Sequence, residues 1–166
     1  LKPVHEGSSI GMTKVMRELD LKQAWRDAEQ YDSEVLAERW VEGTEYTAAI
    51  VADTALPLIR LETPREFYDY EAKYQADSTR YHCPCGLAPD QEFQFQELAK
   101  HAFAAVAATG WGRVDFFLDA AHRPWLIEVN TVPGMTDHSL VPMAARVFGW
   151  DMPELVWRIL ETSAEG

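Results

Sequence analysis

Cationic side chains are scarce in this sequence: 15 Lys and Arg stand against 27 Asp and Glu, giving a formal net charge of −12 and a pI near 4.7. Nucleic acids and anionic membrane surfaces are bound through clustered Lys and Arg, so this balance argues against both as partners. Any phosphate-bearing ligand must be met by a few local cations rather than by the overall field. Cysteine is sparse too. Cys83 and Cys85 flank Pro84, too few and too close for a disulfide framework, and a cytoplasmic location is expected. No apolar run approaches the ~20 residues of a membrane span, and no secretory signal, repeat or low-complexity segment is found. An initiator Met is also lacking. The chain opens Leu1-Lys2-Pro3, which reads as the tail of a strand and predicts the C-terminal piece of a longer protein. What is present, 47% hydrophobic and 25% charged over 166 residues, suffices for a domain with a hydrophobic core.

The most informative stretch is GWGRVDFFLDAAHRPWLIEVNTVP, residues 110–133. Apolar and polar side chains alternate on both sides of a turn-like Asp119 to Pro124, which predicts a β-hairpin. A turn centred between Ala121 and His122 sets Asp115 opposite Glu128 and Arg113 opposite Asn130. It also pairs Val114 with Val129, Phe116 with Ile127 and Leu118 with Trp125, leaving one face apolar. Two carboxylates facing each other across a strand pair repel, and a cation removes that cost. Asp, Glu and Asn offer only hard oxygen ligands, which points to magnesium or manganese held together with substrate phosphates. Arg113 beside them adds a bidentate phosphate contact. The bland alternative is the solvated polar face of an ordinary amphipathic hairpin.

Along the rest of the chain, residues 4–12 (VHEGSSIGM) form a Gly- and Ser-rich loop, either a phosphate-wrapping loop or a plain flexible one. Residues 19–29 have helical spacing, with Leu21, Ala24, Trp25 and Ala28 on one face. Residues 34–41, the run after Gly43 and residues 56–61 read as three strands of one antiparallel sheet. Glu42 reads as a solvated edge charge, whereas Glu38 and Glu45 are either edge charges or acceptors for nucleotide amino and hydroxyl groups. Residues 62–87 form the longest irregular stretch, with Phe67, Tyr68, Tyr70, Tyr74, Tyr81 and the phosphate-seeking Lys73, and are expected to be a lid loop. His82, Cys83 and Cys85 are too bunched to surround zinc and read as packing at the base of that lid. Residues 90–109 are the clearest helix, with Pro89 at the start, Phe95, Leu98, Ala99, Ala102, Phe103 and Val106 inward, and Gly110 at the end. Residues 140–148 and 153–162 complete the helices, Ser139 capping the first. With no strand–turn–helix nucleophile elbow, His138 and Ser139 do not read as a hydrolase pair.

Five segments, HEGSSIGMTKV, ERWVEGTEYTAAIV, FYDYEAKY, GWGRVDFFLD and EVNTVPGMTDHSLVPMAA, closely resemble in order the D-alanine–D-alanine ligase family of the ATP-grasp superfamily. The resemblance implies an α+β fold, a largely antiparallel sheet flanked by helices, with residues 1–166 as the C-terminal ATP-grasp domain. It also implies that an N-terminal substrate domain and most of a central subdomain are absent. Lys2 resembles the lysine that reaches nucleotide phosphate, and Ser8 the loop serine over the reacting groups. Glu38, with the backbone of Arg39, Trp40 and Val41, resembles the adenine-binding linker, and Glu45 the ribose-binding carboxylate. Lys73 and Tyr74 match the mobile loop of the dipeptide-forming members. Asp115, Glu128 and Asn130 match the ligands of two magnesium (or manganese) ions. Arg113 and the Gly134 amide resemble stabilisers of the tetrahedral intermediate, and Ser139 with Leu140 the seat of the second D-alanine carboxylate. The implied substrates are ATP and D-alanine, and the full-length protein is expected to be a homodimer. Another ATP-grasp carboxylate–amine ligase, or a non-catalytic nucleotide- or metal-binding module, are the alternatives.

Overall fold

The computed structural model describes residues 1–62 and 79–164, in two compact units. Residues 1–41, together with Thr79 and Arg80, make the first. Strand β1 (Lys2–Pro3) pairs antiparallel with β2 (Val35–Leu36), Lys2 opposite Leu36 and Pro3 opposite Val35. A short 3-10 turn (Glu18–Asp20) leads into helix α1 (Leu21–Glu29). The inward face of α1 is narrower than its periodicity predicts: Ala24 and Ala28 are buried, whereas Leu21 and Trp25 are 46% and 40% exposed. The strand expected over residues 34–41 shrinks to β2. Its partner offers only two residues before the chain turns away, with Val4 N–H donating to Glu34 O as the last rung. This small sheet is separate from the large one, so the expected single three-stranded array is not formed.

Residues 42–62 and 81–164 make the second unit. Its sheet contains β3 (Thr44–Val51), β4 (Thr54–Ala55), β5 (Ile59–Glu62), β6 (Arg80–His82), β7 (Trp111–Leu118) and β8 (Pro124–Asn130). The order is β6-β5-β3-β7-β8, with β4 folded back on β3; the β3, β7 and β8 ladders are all antiparallel. Of the run expected at residues 56–61 only β5, from Ile59, forms; β4 lies before it, and Pro57 between the two has no N–H to give a ladder.

Helix α2 (Pro89–Ala105) begins with Pro at a position whose N–H is an orphan in any helix, and Asp90 and Glu92 complement the positive end of its dipole. Phe95, Ala99, Ala102 and Phe103 recur at helical spacing and cover one face of the sheet. There they meet Tyr46, Ala48, Ile50, Val114, Phe116 and Leu118. Phe116 is fully buried, its ring 5.9 Å from those of both Tyr46 and Phe95. α2 stops at Ala105, short of the expected 109. Ala107 takes a left-handed φ of 55°, and Ala108 turns in against the core before β7 begins. Val106 is accordingly exposed rather than inward. Helices α3 (Leu140–Phe148) and α4 (Met152–Ala164) pack on each other and on β3. Gly149, at φ 106°, closes α3 by donating its N–H to Ala145 O and Arg146 O. Among the described residues no helix is long and apolar enough to cross a membrane.

Candidate active site

The sheet face turned away from α2 carries the polar residues. Opposed residues on antiparallel strands project to the same side, and the register runs Thr47, Asp115, Glu128 across three strands, with Ala49, Arg113, Asn130 one step along. The hairpin pairs expected for Arg113, Val114 and Asp115 are all present. Beyond Asp115 the register shifts by one: Phe116 meets Leu126, Phe117 meets Trp125 and Leu118 meets Pro124. The expected Phe116–Ile127 and Leu118–Trp125 pairs are thus corrected. A bulge on β8 absorbs the extra residue and breaks the ladder next to the carboxylates.

Arg113 and Asp115 are 9% and 5% exposed. The guanidinium forks the carboxylate, Nε donating to Oδ1 at 2.8 Å and Nη2 to Oδ2 at 2.6 Å. Thr47 Oγ1 donates to the same Oδ1 at 2.6 Å. Nη2 also lies 3.9 Å from Glu128 Oε1, whose side chain is half exposed. A cation therefore already stands between the facing carboxylates, and it is Arg113. Asn130 Oδ1 accepts the Val132 N–H at 3.1 Å, which holds the amide oxygen at the end of β8.

This donor set fits a hard divalent ion. Asp115, Glu128 and Asn130 present oxygen alone, and a carboxylate oxygen has two lone-pair directions, of which Asp115 Oδ2 commits one to Nη2. Among the described residues no group of three or more His, Cys, Asp or Glu could hold a metal, so an ion held by Asp115, Glu128 and Asn130 would need further oxygen ligands from phosphate or water.

Gly134 and Ser139 are brought together: a Cβ on Gly134 would lie 2.8 Å from Ser139 Oγ. That oxygen accepts the Thr136 N–H at 3.0 Å and pairs with Thr136 Oγ1 at 2.9 Å. Ser139 holds the N-cap position of α3 without capping it through its side chain, and Pro142 has no N–H, so Leu140 and Val141 supply the first-turn amides. Glu45 lies on β3 two residues from Thr47, on the same face. In the first unit, Lys2 Nζ and Glu38 Oε2 are 2.6 Å apart, and Lys14 stands 4.3 Å over the Trp40 ring. Arg39 and Val41 flank Trp40 beyond β2. Lys73 and Tyr74, like most of the expected lid, lie outside the described residues. At the base of that stretch, His82 Nε2 faces Glu62 Oε2 at 2.8 Å and Cys85 is part of the core. Burial pushes the Cys83 thiol up to about 11, and the Cys85 thiol also upward, which suits packing residues.

Two residues escaped the sequence reading. Thr47 was hidden because nothing local says that β3 pairs with β7. Asp32 organises the 4–12 loop: Oδ1 accepts the Glu34 N–H, and Oδ2 accepts the His5 N–H and meets His5 Nδ1. Ser8 and Ser9 sit in that loop at left-handed φ of 55° and 60°. The Glu34 N–H foremost, then the His5 N–H, hold the Asp32 carboxyl down at about 2. A carboxylate whose folded value lies below its unfolded one stabilises the fold above the ordinary range and loses this as pH falls through the folded value. We expect the His5 and Glu34 amide resonances to titrate together near pH 2; a midpoint at 3.8, the ordinary value, would mean the loop is not tied this way.

With this geometry in place, the comparisons with known proteins decide the family. The family model described as D-ala D-ala ligase C-terminus matches residues 1–161. The chain belongs to the D-alanine–D-alanine ligase family. The D-alanine–D-alanine ligase of Alkalilimnicola ehrlichii is 62% identical over 160 residues, 96% of this chain and 51% of the relative. That of Methylococcus capsulatus is 58% identical over 163 residues, 98% of this chain and 53% of the relative. The chain thus spans about half the length of the curated ligases it matches. Among solved structures, a D-alanine–D-alanine ligase from Bacillus anthracis aligns with TM-score 0.84 and 32% identity over 99% of this chain and 53% of that one. A D-Ala:D-Ser ligase from Enterococcus faecalis aligns with TM-score 0.86 and 30% identity over 97% and 48%.

Proposed function

We propose that this chain is the C-terminal, nucleotide-handling part of a D-alanine–D-alanine ligase, which uses ATP to make D-alanyl-D-alanine for peptidoglycan precursors in the cytoplasm. The observation that carries this reading is identity of 53–62% to ligases of that name along essentially the whole chain. A carboxylate oxygen of the first D-alanine attacks the γ-phosphorus of ATP and ADP leaves. The deprotonated amine of the second D-alanine then attacks the acyl carbon, inorganic phosphate leaves, and the amide forms. A solved relative from Bacillus anthracis complexed with ATP, aligned at TM-score 0.78, supports ATP as the nucleotide.

Asp115, Glu128 and Asn130 would hold magnesium or manganese, which when bound neutralises charge on the phosphates. Arg113, able to exchange Asp115 for a phosphate or oxyanion, would stabilise the charge that develops on the acyl centre, with the Gly134 amide as a second donor. The Ser139 hydroxyl together with the first-turn amide of Leu140 suits a substrate carboxylate. Lys2 would meet nucleotide phosphate and Ser8 would close over the reacting groups. Glu38 and the backbone of residues 39–41 would take the adenine, and Glu45 the ribose. Lys73 and Tyr74 would serve the lid. No side chain acts as a covalent nucleophile.

The test is phosphate release from ATP and magnesium by the full-length protein and by this chain side by side. We expect D-alanine-dependent release from the full-length homodimer and none from the chain alone, since the first D-alanine needs residues beyond it. Release driven by a different amino acid would keep the fold and replace the substrate. The D-Ala:D-Ser neighbour makes D-alanine plus D-serine the comparison to run first.

A further inference from the structure

We propose that Thr47 is a positioning residue for the metal site, fixing the Asp115 carboxylate so that Oδ2 is the oxygen offered to the cation. The inference rests on the ligase reading above. Thr47 is 2% exposed, and its hydroxyl donates to Asp115 Oδ1 at 2.6 Å from the neighbouring strand. A hydroxyl buried in a sheet face costs free energy unless it is hydrogen-bonded, and Asp115 Oδ1 is the acceptor that Thr47 Oγ1 reaches.

The two oxygens of Asp115 are thereby made unequal. Oδ1 accepts from both Thr47 Oγ1 and Arg113 Nε, so both its lone-pair directions are spent within the protein. Oδ2 accepts from Arg113 Nη2, the atom that also faces Glu128 Oε1. When Arg113 turns to substrate, Oδ2 is released toward Glu128 while Thr47 still grips Oδ1. Without the Thr47 hydroxyl, the carboxylate rotates more freely once Arg113 leaves, and the ion must pay to order it. A β-branched residue suits this task, because its χ1 is restricted and its oxygen stays aimed at one place.

The test compares full-length wild type, Thr47→Val and Thr47→Ser. The readouts are Mn2+ affinity by electron paramagnetic resonance, half-saturating Mg2+ for phosphate release, and thermal stability. Thr47→Val keeps the shape and loses the donor; Thr47→Ser keeps the donor. We expect Thr47→Val to weaken Mn2+ binding and raise half-saturating Mg2+ by about tenfold or more, as for other residues that orient metal ligands. Turnover at saturating Mg2+ should stay close to wild type, and Thr47→Ser should restore most of the affinity. A folded Thr47→Val protein with wild-type Mn2+ affinity overturns the proposal, as does a Thr47→Ser protein as weak as Thr47→Val. Should Thr47→Val fail to fold, Thr47→Ala makes the same comparison without crowding. If wild type binds Mn2+ but gives no D-alanine-dependent phosphate, the ligase reading fails, and the affinity comparison still decides the role of Thr47.

Discussion

Replacing Asp115 by Ala is expected to destabilise the second unit by about 3–5 kcal/mol, the cost of breaking a buried ion pair from one side. The figure follows from what remains. Arg113 is 9% exposed and loses its carboxylate partner, and the Thr47 hydroxyl loses its acceptor at the same stroke. Asp115→Asn keeps the volume and one acceptor oxygen but not the charge, so it should fall between wild type and Ala. Urea unfolding followed by tryptophan fluorescence reads both. In the full-length protein the loss of activity should exceed the loss of stability. At a temperature where both variants remain folded, D-alanine-dependent turnover should drop roughly 100-fold or more if Asp115 is a direct ligand as proposed, since loss of even the outer partners of a metal costs about 10–100-fold. A stable Asp115→Ala protein would mean that the Arg113 fork contributes little.

Gly112→Ala is the second change with a large expected effect. An added Cβ would lie 2.8 Å from the Asn130 carbonyl oxygen and 2.5 Å from the Phe103 ring. The ring can move at the expense of the core beneath α2, but the carbonyl belongs to β8 and moves only with the strand. Overpacking of this kind costs about 1–3 kcal/mol. The functional cost should be larger than that figure implies, because the adjacent Arg113–Asn130 pair sets where both site residues project. Heteronuclear NMR would show the strongest shifts at Asn130 and Phe103. Unchanged Asn130 resonances would contradict the account.

Much of this site was legible in the sequence, and the reason lies in parity. Arg113, Asp115, Glu128 and Asn130 alternate with Val114, Phe116 and Val129; the turn, expected between Ala121 and His122, is centred on Ala121, and the bulge on β8 restores the expected pairing of these four residues. The failure begins where alternation stops. Trp125, Leu126 and Ile127 are all apolar, so shifting the strand by one residue violates no pattern, and the bulge after Asp115 could not be read. Thr47 was invisible for a different reason: its partner is 68 residues away, and a threonine in a strand is ordinary until the strand's neighbour is known. The 34–41 strand failed because extended-strand propensity was present but a partner of matching length was not. Helix α2 was found readily, yet its end was misplaced; the core's demand for Ala108, rather than a glycine signal, stops it.

The measurement that bears most directly on the central claim is D-alanine-dependent phosphate release by full-length Glu128→Gln. Glu128 is half exposed and only 3.9 Å from Arg113 at its nearest, so this substitution should leave the fold and its thermal stability close to wild type. If the face formed by Arg113, Asp115, Glu128 and Asn130 carries the chemistry, the variant is folded and loses nearly all of its magnesium-dependent turnover. A folded Glu128→Gln protein that ligates D-alanine at the wild-type rate would contradict the claim and leave the facing carboxylates with a structural role alone.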